Sequence, residues 1–164
     1  MTMHLTILLR QGLMLLTLLA LTYLAAGIGA LGSINAAGFY RDLQLPGFAP
    51  PAWLFGPVWT LLYTLMAVAA WLVWRSTKQY QTALWLYFGQ LVVNALWSWL
   101  FFAWYQGALA FLNIMLLLPL IIATALCFWR HNKLAGLLLV PYLLWVSFAA
   151  VLNFSIWQLN PGLL

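Results

Sequence analysis

The chain has 164 residues, of which 67% are apolar and 4% charged, and six Lys or Arg against a single acid, Asp42, leave it at +5. A soluble domain of this length needs several times more charge to cover its surface, and a disordered chain is poor in aromatics, so both classes are excluded. One carboxylate, two histidines and one cysteine also exclude paired-carboxylate catalysis within one chain, a metal cluster and a disulfide framework. The cations are scattered singly or in pairs, which does not make a nucleic-acid footprint. What remains is a chain that lives in lipid.

A bilayer core takes roughly 20 apolar residues per helix, and five stretches qualify. The first runs from about Leu13 to Leu31, too long for a signal peptide. The second covers about Trp53–Trp74, the third Ala83–Trp104, the fourth Ala108–Trp129 and the fifth Leu134 to about Leu159. Alternating strands are absent. The expected fold is therefore all-α: one integral membrane domain, residues 1–164, built as a five-helix bundle. No internal repeat or soluble domain interrupts it.

Three connections are short, Arg75–Thr82, Tyr105–Gly107 and Arg130–Lys133, and short connections predict antiparallel neighbours. The exception is residues 33–52. That segment carries Phe39, Tyr40, Leu43, Leu45 and Phe48 before Pro50–Pro51. It is too apolar for disorder, which leaves a packed lid over one end of the bundle or a re-entrant interfacial loop. Five cations, Arg10, Arg75, Lys78, Arg130 and Lys133, fall on the N-terminal side of the spans, and only Arg41, next to Asp42, falls on the other. The positive-inside rule then predicts a cytoplasmic N-terminus.

Eleven tryptophans are more than a belt requires. Trp74, Trp104 and Trp129 stand at span ends, where interfacial aromatics belong. Trp59, Trp97 and Trp145 stand inside spans, where an indole N–H needs a partner or a cavity. Helical spacing joins Trp59 to Tyr63, Met66 and Ala70, and Trp97 to Gln90, Asn94 and Phe101. In the fifth span Trp145 shares a side with Phe148, Ala149 and Leu152, flanked by Tyr142 and Asn153. Polar groups are costly in hydrocarbon, so these stripes are expected to face inward. They are read either as hydrogen-bonded core packing or as the walls of an aromatic pocket for a large, flat, mostly apolar ligand. Pro57, Pro119 and Pro141 either kink their helices or are tolerated in them. Ala25, Gly29 and Ser33 recur every four residues, a spacing that permits close helix approach within the bundle or across a dimer. Cys127 reads as a packing residue, and neither His4 nor His131 is placed to ligate iron in such a pocket.

Phe39-Tyr40, Leu43, Pro46, Pro50-Pro51, Trp53, Phe55, Pro57-Val58-Trp59 and Leu62-Tyr63 resemble the signature of the translocator protein family, also called tryptophan-rich sensory proteins or peripheral benzodiazepine receptors. The resemblance continues through Gln90-Leu91, Asn94, Trp97 and Phe101-Phe102, and ends with Pro141-Tyr142-Leu143, Trp145, Phe148-Ala149, Leu152-Asn153 and Trp157. It implies a five-helix membrane protein, often a homodimer, with a pocket beneath the first long loop. It implies ligands such as protoporphyrin IX, sterols and synthetic isoquinoline- or benzodiazepine-type drugs, bound without a resident cofactor or metal. The positions carried over are Trp59, Tyr63, Asn94, Trp97, Trp145 and Ala149. The implied function is a sensor or transporter for porphyrin-like molecules, or a light-dependent porphyrin-degrading enzyme. The chain departs from animal members in the sterol-recognition stretch, where Leu152, Phe154 and Gln158 supply neither the hydroxyl nor the cation, and this points to a bacterial-type member of a cell-envelope membrane. Phe39 also replaces the Trp common among relatives.

Overall fold

The computed structural model describes residues 2–164, with side chains from Leu5 onward; the expectation for His4 lies outside the described side chains. Helix α1 spans Thr2–Gly32, and a short helix α2, Ala36–Asp42, sits in the first long connection. A 3-10 turn at Ala52–Leu54 leads into α3, Phe55–Ser76, and then come α4, Gln81–Ser98, and α5, Gly107–His131. The last span is α6, Lys133–Leu138, followed by α7, Val140–Leu159. Five of these stretches, from 23 to 28 residues, are long and apolar enough to cross a membrane, and among the described residues there is no strand.

The spans close into a ring. α1 packs on α3 and α4, α4 on α5, α5 on α6 and α7, and α6 returns to α3. The short connections at 104–106 and 132 do join packed neighbours. The connection at 77–80 does not, because α1 wedges between α3 and α4 and leaves them little contact. Small residues let α1 in. A Cβ on Gly29 would meet the Ala95 backbone at 3.5 Å, and one on Gly32 would meet Trp99 at 3.0 Å. The small-residue stripe therefore serves packing inside the bundle.

The proline readings divide by position. Pro57 lies in the first turn of α3 and Pro141 in the first turn of α7, where helix amides lack an intrahelical acceptor anyway. Pro119 lies inside α5, which continues through it. The fifth span breaks at Leu139, just before Val140–Pro141. A π turn at Trp99–Ala103 ends the third span. It closes when the Trp104 amide donates to the Trp99 carbonyl at 2.9 Å, and the chain then reverses through Tyr105, at φ 54°.

The long connection is folded onto the bundle. Phe39 of α2 packs on Tyr105, with ring centres 4.7 Å apart, and edge-on to Phe101 and Phe102. The Tyr40 hydroxyl donates to the Pro50 carbonyl at 3.1 Å, and burial raises its pKa. Asn160, past the end of α7, clasps the backbone of Gln44. Its Oδ1 accepts from the Gln44 amide at 2.8 Å and its Nδ2 donates to the Gln44 carbonyl at 2.9 Å. A side-chain amide thus makes the pair of bonds that a neighbouring strand would make.

Candidate functional site

Beneath this lid a cavity of about 630 Å³ opens between α1, α3 and α4. Its α1 wall is made of small residues, Ala26, Gly29 and Ala30. Trp59, Tyr63, Asn94 and Trp97 form the facing wall, with Phe55, Phe102 and Tyr40 under the lid. Four of the six residues singled out from the sequence are thus brought to one space. The remaining two, Trp145 and Ala149, are half-buried on α7 and do not line it. Trp145 packs edge-on against Phe55, with centres 5.9 Å apart, and Phe55 stands between it and the cavity.

The polar groups of the site form one oriented chain. The Tyr63 hydroxyl donates to Asn94 Oδ1 at 2.8 Å, and Asn94 Nδ2 donates to the Tyr142 hydroxyl at 2.9 Å. Tyr142 donates to Gln90 Oε1 at 2.7 Å, and Gln90 Nε2 reaches the Met66 sulfur at 3.8 Å. Gln90, Tyr142 and Met66 are almost fully buried and do not line the cavity, so the network runs from the cavity wall into the core and ties α3, α4 and α7. With the Tyr63 proton given to Asn94, the Tyr63 oxygen keeps its lone pairs, and one Asn94 N–H stays uncommitted.

Trp97 is held separately. Its indole N–H donates to Asn153 Oδ1 at 3.0 Å, and Asn153 Nδ2 donates to the Gly107 carbonyl at 3.1 Å. Phe101 stacks on it, centres 5.4 Å apart and nearly parallel. Trp59 stacks on Tyr63 at 5.3 Å, while its own N–H has no protein partner among the described residues. The cavity is thus walled by locked rings, with one free indole donor and the Tyr63–Asn94 pair as polar contacts. Its wall carries no carboxylate, amine or imidazole, and no His/Cys/Asp/Glu cluster able to hold a metal occurs among the described residues.

Sequence reasoning missed Tyr23, Phe55 and the whole α1 wall. The signal was present as Ala26, Gly29 and Ala30, which share one helical face. Small residues were read for what they let approach, and here they also leave space. Of the degenerate sterol stretch, Leu152 is in the core, whereas Phe154 is half exposed against Phe111.

Five apolar spans packed in a ring, with an aromatic cavity between α1, α3 and α4 at one end, define a multi-pass helical membrane protein. Residues 15–158 match the TspO/MBR family. The chain is 40% identical to the protein CrtK of Rhodobacter capsulatus over 154 residues, covering 91% of this chain and 96% of that protein. It is 41% identical to the tryptophan-rich protein TspO of Chlorobaculum tepidum over 155 residues, or 90% and 98% of the two chains. It is 37% identical to the translocator protein of Homo sapiens over 128 residues, 76% of each. The chain belongs to the TspO/MBR family.

Proposed function

We propose that the protein binds porphyrin-like molecules, protoporphyrin IX first among them, in the cavity beneath the lid and acts as a membrane sensor or transporter for them. The observation that carries this reading is the cavity itself. Its volume of about 630 Å³ falls in the range of small-molecule sites, which are mostly apolar with a few placed polar groups. Trp59, Tyr63 and Trp97 supply flat faces, and Asn94 with the free Trp59 N–H supplies the orienting contacts. Isoquinoline- and benzodiazepine-type drugs share that chemistry. Trp145 and Ala149 belong to the same reading only if Phe55 turns aside. In the closed arrangement they are the layer behind it, open to a ligand larger than the resting cavity. Neither a homodimer nor a bacterial envelope location is needed for binding, but both accompany the reading. The five cations at that end of the bundle support a cytoplasmic N-terminus.

The test is titration of the purified protein with protoporphyrin IX in darkness and in light. Saturable quenching of tryptophan fluorescence in darkness, weakened by Trp59→Phe, is the expected result. Quenching equal to that of an unrelated membrane protein would refute it. Light-dependent loss of the porphyrin band beyond that control would convert binding into turnover. It would favour the degrading-enzyme reading, with the ligand's own photochemistry doing the work and the rings providing confinement.

A further inference from the structure

A second concavity lies at the opposite end of the bundle. It measures about 560 Å³ and runs along the outer seam of α1 and α3 to the start of α4. Leu13 and Met14 form its apolar wall, and Arg10, Trp74 and Tyr80 surround its outer end. The α1 helix carries the wall inward from Arg10, so the groove is polar where it meets the interface and apolar where it enters the hydrocarbon.

The arginine is positioned. Its guanidinium carbon lies 5.5 Å from the Trp74 ring centre, within the range of a cation–π contact. One turn deeper, the Trp71 N–H donates to the Gln11 carbonyl at 3.0 Å and pins α1 to α3, while Arg75 lies 4.4 Å over the Trp71 ring. A guanidinium on an aromatic face keeps its in-plane N–H fork free for a bidentate acceptor. Among the described residues no side-chain carboxylate at this end supplies one. The sole acid of the chain, Asp42, is in α2 under the other end. The Tyr80 hydroxyl has no protein partner among the described residues either. Lys78 in the connection at 77–80, Arg130 in the last turn of α5 and Lys133 at the start of α6 stand at the same end, so the local field is positive with no side-chain acid there to compensate it.

We infer that this groove is a binding site for a single anionic phospholipid, its phosphate on the Arg10 fork and the Tyr80 hydroxyl and one acyl chain along Leu13 and Met14. The net-positive end selects an anionic over a zwitterionic headgroup, and the apolar wall selects a lipid over a free anion. The site is independent of the lidded cavity and does not rest on what that cavity binds.

Native mass spectrometry of the full chain in neutral detergent, titrated with phosphatidylglycerol, phosphatidylcholine or inorganic phosphate, tests this. One phosphatidylglycerol is expected to be retained per chain, with phosphatidylcholine about tenfold weaker and inorganic phosphate not retained. Arg10→Gln is expected to weaken retention about tenfold, in line with the loss of a charge-assisted contact, and Tyr80→Phe to weaken it less. The double variant Arg130→Gln/Lys133→Gln removes as much or more charge from the same end but lies outside the groove, and should retain the lipid. Equal loss in that double variant would overturn the site in favour of general surface attraction. Equal retention of phosphatidylcholine, or of phosphate alone, would overturn it as well. Met14→Trp fills the apolar wall and leaves Arg10 in place. It should also lower retention, and unchanged retention there would refute the groove even if Arg10→Gln failed to fold.

Discussion

Tyr142→Phe probes the hydrogen-bond network behind the cavity wall with almost no change in volume. The hydroxyl it removes accepts from Asn94 at 2.9 Å and donates to Gln90 at 2.7 Å. Interhelical hydrogen bonds inside membranes average about 0.6 kcal/mol each, so the two bonds alone would account for about 1 kcal/mol. The larger effect comes from what is stranded. Gln90 is fully buried, and its Oε1 loses its only protein donor, which costs about 1–3 kcal/mol. The expected loss of stability is therefore about 2–4 kcal/mol. Gln90→Leu in the same background removes the stranded oxygen, so the double variant should be more stable than the sum of the singles by about 1 kcal/mol or more. Tyr105→Phe, at a half-exposed ring of the lid end whose hydroxyl has no partner among the described residues, should change little. Reversible unfolding in mixed micelles of rising anionic detergent content measures all four. A loss below about 0.5 kcal/mol for Tyr142→Phe, or strict additivity with Gln90→Leu, would mean that the chain of protons is not a tie between α3, α4 and α7.

Three further outcomes follow from the same geometry. Asn160→Ala removes both bonds to Gln44, so amides across 43–49 should exchange faster with little change elsewhere; uniform exchange would show the lid to be held by its apolar contacts alone. Gly136→Ala places a methyl 2.8 Å from Trp129 Cβ and 2.9 Å from its Cα, whereas Gly89→Ala meets nothing within 4 Å; thermal denaturation should show a loss of about 1–3 kcal/mol for the first and none for the second. Trp145→Phe should weaken porphyrin affinity by less than Trp59→Phe, because Phe55 separates Trp145 from the cavity; fluorescence titration that ranks them the other way would mean that Phe55 moves aside on binding.

Hydropathy located all five spans, because lipid imposes one rule on every residue that faces it. Their ends were less legible. α1 begins at Thr2 rather than near Leu13, since Arg10 and Gln11 lower the local hydropathy but are accommodated on the helix, one over Trp74 and the other through its carbonyl to Trp71. Helical spacing identified the inward faces of α3 and α4, and Tyr63, Met66, Gln90 and Asn94 are indeed buried. The same periodicity cannot say which of two inward neighbours a residue meets. Trp145 faces inward and meets Phe55. Ring order was illegible for the same reason: nothing local to 77–80 reveals that α1 inserts between the helices it joins. The Asn160–Gln44 clasp joins positions 116 apart, and no local pattern marks it.

A bundle with one carboxylate cannot hold itself together with ion pairs, and asparagines take their place. Asn94 ties α3 to α7, Asn153 ties Trp97 to the start of α5, Asn160 holds the lid, and Asn132 caps α6 and donates to Ser76 at 3.0 Å. An amide both donates and accepts, so each can join two elements without burying a charge. It also does not titrate. The titratable side chains on the wall of the lidded cavity are the phenols of Tyr23, Tyr40 and Tyr63, and burial moves Tyr40 upward, away from neutrality. Affinity for an uncharged isoquinoline probe should therefore be flat from about pH 5 to pH 8, where carboxylates and imidazoles at a site would make it change. Protoporphyrin IX has carboxylates of its own, so the neutral probe isolates the protein's contribution. A sigmoidal affinity profile for that probe would show that a titratable group outside the cavity wall governs binding.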